Sequence, residues 1–141
     1  MKKTLYFLGT VLLVSCFSCS NKDENPDSFP DGTYMGNFTV DYANGNSYTN
    51  PVSITFISGE YYSTANVNRF PAGGSGDYNI SNGTIEFTDE NIWTADFDWN
   101  LILHGKYSIE VTETQIRFSA AKNNLGTYTY VLEKEMKLNE H

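Results

Sequence analysis

From Trp93 to Val111 the chain alternates. The odd positions Trp93, Ala95, Phe97, Trp99, Leu101, Leu103, Gly105, Tyr107, Ile109 and Val111 carry no charge. The even positions, from Thr94, Asp96 and Asp98 through His104 and Lys106 to Glu110, are polar except for Ile102. A period of two marks extended backbone with one dry face and one wet face. Strands usually run for ~3–10 residues. The pattern therefore predicts a bend near Ala95–Asp98 and a long curved strand after it, of the kind that walls a barrel.

The same period recurs on both sides of this stretch. Tyr34, Phe38 and Val40 share a face after Gly32, and Asn44-Gly45 supplies a tight hairpin turn. Val52, Ile54 and Phe56 point inward on the return, with Pro51 marking a strand start or an exposed edge. Ser58-Gly59 turns the chain into Glu60–Asn68, where Tyr61, Ala65 and Val67 share a face, and FPAGGSG (70–76) reads as the most flexible loop of the domain. Asn82-Gly83 is a second hairpin signal. Thr112-Glu113 turns into Gln115–Ala120, and Asn123-Asn124 with Gly126 turns into Thr127–Glu133, with Tyr128, Tyr130 and Leu132 inward. No stretch of the domain keeps a helical apolar period. About eight short strands joined by local turns form an antiparallel meander. A flat sheet of that size would expose an apolar face and two edges, whereas closure removes the edges. The expected fold is all-β, an up-and-down barrel, with a two-sheet β-sandwich as the alternative.

The 141 residues hold one domain, and the first segment lies outside it. Met1-Lys2-Lys3 followed by the apolar run Leu5–Phe17 has the pattern of a secretory signal peptide, assigned to 1–18, and is too short to span a membrane. Residues 19–31 are polar and proline-containing and read as a flexible tether. The barrel is assigned to 32–134 and a C-terminal tail to 135–141. Without Lys2 and Lys3 the nine basic residues fall to seven against seventeen acidic ones, a charge of about −10. That surface argues against nucleic acid as a partner and against electrostatic docking on anionic lipid.

Cys16 and Cys19, the two cysteines, both lie at the signal boundary. Leu13-Val14-Ser15-Cys16 resembles a bacterial lipobox. Cys19 is followed by Ser20-Asn21-Lys22-Asp23-Glu24, which resembles the export tag behind the anchor of surface lipoproteins in certain Gram-negative gut bacteria. Cys19 is the preferred acylation site and Cys16 the alternative; a secreted protein cut near Ser18 is the unanchored reading. An acylated chain would be held at the outer membrane or cell surface through its lipid.

Gly32-Thr33-Tyr34 is similar to the Gly-x-Trp signature of lipocalins, with Tyr in place of Trp. The segment from Gly32 to Lys134, above all Thr88–Leu103, resembles small calycin-like lipoproteins of Gram-negative gut bacteria, a largely uncharacterised family. The resemblance implies a barrel that can contain a cavity; it supplies no activity. Lipocalins often set a late arginine against that Trp, whereas Thr127–Glu133 has none and Arg117 alternates outward.

Asp89, Glu90, Asp96 and Asp98 crowd around Trp93 and Trp99. Paired carboxylates beside tryptophans suit glycoside hydrolysis, and clustered oxygens suit calcium. The spacing does not match a calcium loop, and the face is expected to be wet, so no metal and no catalytic residue are assigned. His104 alternates outward with Lys106 and reads as a surface histidine. PAGGSG lacks the GK[ST] ending of a phosphate loop, and no cofactor is expected. Trp93, Phe97, Trp99 and Tyr107 share one face and are the candidate ligand-lining residues. The two Trp, ten Tyr and nine Phe either fill the barrel or line a pocket, since eight strands leave room for side chains or one small ligand. The leading reading is a lipid-anchored, non-catalytic barrel that binds a small apolar or sugar-like ligand, or a surface-protein partner. The alternatives are a filled-barrel accessory subunit of a surface complex and a hydrolase using the acidic cluster.

Labelling with a fatty-acid analogue is expected to mark the wild type and Cys16→Ala but not Cys19→Ala. Loss of label in Cys16→Ala alone would move the anchor, and an unlabelled wild type would remove it.

Overall fold

Turn chemistry divides the chain into strands at the expected places. Asn82 and Gly83 take φ of 51° and 72°, and Asn123 and Asn124 take 49° and 55°. These positive values match the right-handed twist of the flanking strands in tight hairpins. The computed structural model describes residues 28–135. Cys16 and Cys19, the expected signal peptide, most of the expected tether and residues 136–141 of the tail lie outside the described residues.

The strands are β1 (Gly32–Tyr42), β2 (Ser47–Ile57), β3 (Glu60–Ser63), β4 (Gly74–Ser81), β5 (Thr84–Asp89), β6 (Gly105–Val111), β7 (Gln115–Lys122) and β8 (Gly126–Lys134). Each pairs antiparallel with the next, and β1 pairs with β8 from Tyr34↔Lys134 to Tyr42↔Gly126, which closes the barrel. The expected up-and-down barrel is the observed fold, and the sandwich alternative is set aside. Gly36 permits the closing seam: a Cβ there would meet the Val131 carbonyl oxygen at 1.9 Å.

The barrel interior is occupied by aromatic rings. Phe38, Phe56, Phe87, Phe118, Tyr61, Tyr107, Tyr128 and Tyr130 are all fully buried or nearly so. Phe118 stacks on Tyr130 with centroids 4.8 Å apart, and Tyr61 meets Phe87 edge-on at 4.8 Å. Such pairs contribute about 0.5–1.5 kcal/mol each beyond the area they bury.

The structure departs from the alternation in four places. Trp93–His104 is not strand; β6 begins at Gly105, opposite Phe87. The backbone groups of this stretch go elsewhere. Asp98 caps a 3₁₀ helix, Trp99–Leu101, and Leu101 and Leu103 exchange hydrogen bonds with Ala72 and Gly73. Ile102, on the supposed wet face, is buried along with Leu101 and Leu103. Ala65 and Val67 are exposed because β3 stops at Ser63 and Asn66 caps a 3₁₀ turn. The FPAGGSG segment is no surface loop: Pro71 to Gly74 are buried, and Gly74–Gly76 belong to β4.

The fourth departure lies at the end of the expected tether. Phe29 is 3% exposed and packs on Phe56 at 4.6 Å, Tyr78 at 5.7 Å and Tyr34 at 6.1 Å. Its amide donates to the Tyr78 hydroxyl at 3.2 Å, Tyr34 donates to the Pro30 carbonyl at 2.9 Å, and the Ser58 amide donates to Asp31 at 2.9 Å. Residues 28–31 therefore plug one end of the barrel.

That end, the lower one, also carries the β2–β3, β4–β5 and β6–β7 turns and Glu135, which donates to Thr33. The upper end carries the β1–β2 and β7–β8 turns and the two long connections, 64–73 and 90–104.

Phe29→Ala should cost roughly 3–5 kcal/mol by urea denaturation, as a core truncation. Val67→Ala, on an exposed turn, should stay within about 0.5 kcal/mol. Equal small effects would mean that residues 28–31 are not part of the folded unit.

Candidate functional site

The 90–104 connection is built around one carboxylate. Asp89, at the end of β5, accepts on Oδ1 from the Ser75 amide at 3.0 Å and from Asn91 Nδ2 at 2.7 Å. Its Oδ2 accepts from the Trp93 indole N–H. The Asp89 amide donates to His104 Nδ1 at 3.2 Å, so the two ends of the connection meet. A charged acceptor makes stronger hydrogen bonds than a neutral one, and here three donors converge on it.

The second tryptophan is held differently. Trp99 Nε1 donates to the Thr94 carbonyl at 2.9 Å, and the ring is 56% exposed. Asp98 Oδ1 accepts from the Asn100 amide at 2.9 Å and from its Nδ2 at 2.7 Å. Asn100 Oδ1 in turn accepts from Asn123 at 2.9 Å. The result is a cleft of about 320 Å³ lined by Asp89, Asn91, Trp93, Trp99, Asn100, Ile102 and His104. Both indole N–H groups are spent inside the protein, which fixes the rings and leaves faces for stacking. Asn91 Oδ1 and His104 Nε2 have no partner among the described residues.

A larger groove, about 490 Å³, crosses β1 and β2 between Met35, Pro51 and Asn66. It has no aromatic ring and no ionisable group, so size alone recommends it. A third concavity of about 300 Å³ lies at the lower end beside Phe29 and Lys134.

Of the four candidate lining residues, Trp93 and Trp99 share the cleft. Phe97 packs edge-on behind Trp93 at 5.6 Å, beneath the Arg69 guanidinium at 4.6 Å. Tyr107 is 2% exposed inside the barrel, against Phe87, Phe118 and Tyr130. The acidic residues do not converge. Asp96 pairs with Arg69 at 3.1 Å and accepts from Thr94, and the Thr94 hydroxyl foremost holds its carboxyl below the usual range. Asp98 caps the 3₁₀ helix, and Asp89 holds Trp93. Among the described residues no group of three or more His, Cys, Asp or Glu is placed to hold a metal ion.

Sequence reasoning missed Asn91, Asn100 and Lys122. Lys122 ends β7 with its side chain turned into the barrel mouth. Its Nζ donates to the carbonyls of Asn100 at 3.0 Å and Ile102 at 3.3 Å, and lies 4.9 Å from the Tyr107 ring and 5.4 Å from the Tyr128 ring. Burial lowers its pKa to about 8, against the opposing pull of Asp98. Burial also pushes the Tyr128 hydroxyl up to about 12, and raises Tyr61, Tyr107 and Tyr130 further.

Comparison with protein-family models, with curated proteins and with solved structures finds no match for this chain.

Asp89→Ala should cost about 1–3 kcal/mol, because it orphans the Ser75 amide and the Trp93 indole N–H. Trp99→Ala, half in water, should cost no more than about 1 kcal/mol. Chemical denaturation of both variants checks the order; the reverse order would place Trp99, not Asp89, at the centre of the connection.

Proposed function

We propose that this protein is a lipid-anchored, non-catalytic binding protein of the Gram-negative cell envelope, and that its ligand is a small stackable ring, sugar-like in character, taken at the Trp93–Trp99 cleft. The observation that carries this reading is Trp99: a large apolar ring more than half exposed, with its one polar atom tied to the Thr94 carbonyl. An exposed ring on a pinned indole loses little entropy when a ligand stacks on it. Asn91 Oδ1 and His104 Nε2 would supply directed polar contacts at the rim, the usual division of labour in small-molecule sites. The filled interior favours a cleft at the barrel end over a pocket inside it.

The anchor is argued from Cys19, with Cys16 as the alternative, and from the Lys22-Asp23-Glu24 run. The topology is consistent with it, since residues 28–31 leave the barrel at the lower end and the cleft opens at the upper end. A lipid on the N-terminal side would present the cleft away from the membrane.

A second reading, an accessory subunit that docks a protein partner, is favoured by Ile92, fully exposed on the same connection beside the cleft.

Both tryptophans of the chain line the cleft, so intrinsic emission reports on it directly. A screen of neutral monosaccharides, disaccharides and apolar rings should find a ligand that shifts or quenches this emission. Trp99→Ala should abolish that binding and leave the thermal melt near wild type. No response to any compound tested would set the small-ligand reading behind the protein-partner one.

A further inference from the structure

Most polar side-chain atoms that line the tryptophan cleft are already used within the protein. Both oxygens of Asp89 accept, both indole N–H groups donate, and Asn100 uses its oxygen on Asn123 and its Nδ2 on Asp98. Two atoms of the lining have no partner among the described residues, Asn91 Oδ1 and His104 Nε2. What the side chains of the cleft offer a polar ligand group is therefore set by the polarity of these two atoms.

Their surroundings fix both polarities. Asn91 turns its Nδ2 to the Asp89 carboxylate at 2.7 Å, the Ser75 hydroxyl at 3.0 Å and the Ser75 carbonyl at 3.4 Å. A flipped amide would set Oδ1 against a carboxylate and a carbonyl, neither of which has a proton to give. Oδ1 is thus the atom left facing outward, and it can only accept. His104 Nδ1 accepts from the Asp89 backbone amide at 3.2 Å. A neutral imidazole has one acceptor and one donor nitrogen. With Nδ1 accepting, the ring carries its proton on Nε2, and Nε2 can only donate.

A sugar hydroxyl both donates and accepts, so a fixed donor and a fixed acceptor do not select among hydroxyls. They do select among the substituents that tell one sugar from another. An ammonium only donates and leaves His104 Nε2 unmet. A carboxylate only accepts, leaves Asn91 Oδ1 unmet, and meets the like charge of Asp89. A secondary amide brings one N–H and one carbonyl oxygen, the complement of the pair. An acetyl methyl has an apolar neighbour in Ile102, the one aliphatic residue of the lining. We infer, on the reading that this cleft is the ligand site, that its ligand is an N-acetylated amino sugar. The sugar ring stacks on Trp99, the amide N–H donates to Asn91 Oδ1, and the amide carbonyl accepts from His104 Nε2.

One arm of the test needs no ligand. In mildly alkaline buffer, nitrogen-15 NMR of the imidazole rings should show His104 protonated on Nε2, with His104→Gln separating its signals from those of His141. A proton on Nδ1 would overturn the inference. In the second arm, tryptophan emission is titrated with N-acetylglucosamine, N-acetylgalactosamine, glucose, glucosamine and glucuronate. At least one N-acetylated sugar should bind about tenfold or more tighter than the three others, the scale of one or two hydrogen bonds. His104→Leu should erase that preference while stacking on Trp99 still gives binding, and His104→Gln, which keeps a donor, should restore it. A His104→Leu protein in which every sugar is weakened alike would overturn the assignment. So would glucose, glucosamine or glucuronate binding as tightly as the acetylated sugars, although the cleft would remain a sugar site. No response to any of the five would retire the binding reading itself, and this inference with it.

Discussion

Closure of the sheet on itself requires β1 to hydrogen-bond β2 along one edge and β8 along the other, and at Gly36 the β8 backbone comes too close for any side chain. An eight-strand ring leaves an interior just wide enough for side chains or one small ligand. In this chain the side chains are aromatic, and they pack along the inner wall between strands that are adjacent or one apart: Phe38 on its register partner Tyr130, Tyr107 on Phe118, Phe56 on Tyr78. A ring so filled gains its stability from edge-to-face and stacked contacts that a cavity would forfeit. The chemistry that remains open to solvent is displaced to the connections.

The two ends of the barrel are unequal for a reason visible in loop lengths. Two-residue turns at Ser58-Gly59 and Asn82-Gly83 leave no chain with which to build a site. The lower end is sealed instead by Phe29, a residue outside the strands. At the upper end the connection from Asp89 to Gly105 is long, and a long connection needs its own internal order to escape the entropy of a free loop. Asp89 supplies it. One carboxylate holds Ser75, Asn91 and Trp93, and the 3₁₀ segment that follows is tied to Ala72 of the neighbouring connection and to Lys122 of β7.

The barrel was legible in the sequence because period-two alternation and Asn-Gly turns are local signals with direct backbone consequences. Inward residues such as Tyr34, Ile54, Phe118 and Tyr130 sit where parity puts them. Parity failed from Trp93 to His104, since alternation records which side chains are apolar and not where the backbone finds its partners. Trp93 and Trp99 share a parity, but a carboxylate and a carbonyl, not a strand neighbour, bring them to one cleft. FPAGGSG looks mobile on composition, yet its glycines let the chain pass close to Ser63 and Thr88. Phe29 is one apolar residue in a polar run, and nothing local announces that it plugs the barrel. Lys122 is the instructive miss. It continues the parity of Ile116, Phe118 and Ala120, so alternation alone turns it inward, and only its charge argues for the surface.

An inward lysine at a barrel mouth is costly unless its amine finds acceptors. The 3₁₀ helix provides them, because a helix end leaves carbonyls without intrahelical partners. The Asn100 and Ile102 carbonyls therefore need a donor as much as Lys122 needs an acceptor. This exchange joins the last residue of β7 to a segment some twenty positions earlier in the chain. It makes the shape of the tryptophan cleft depend on the barrel beneath it rather than on the loop alone.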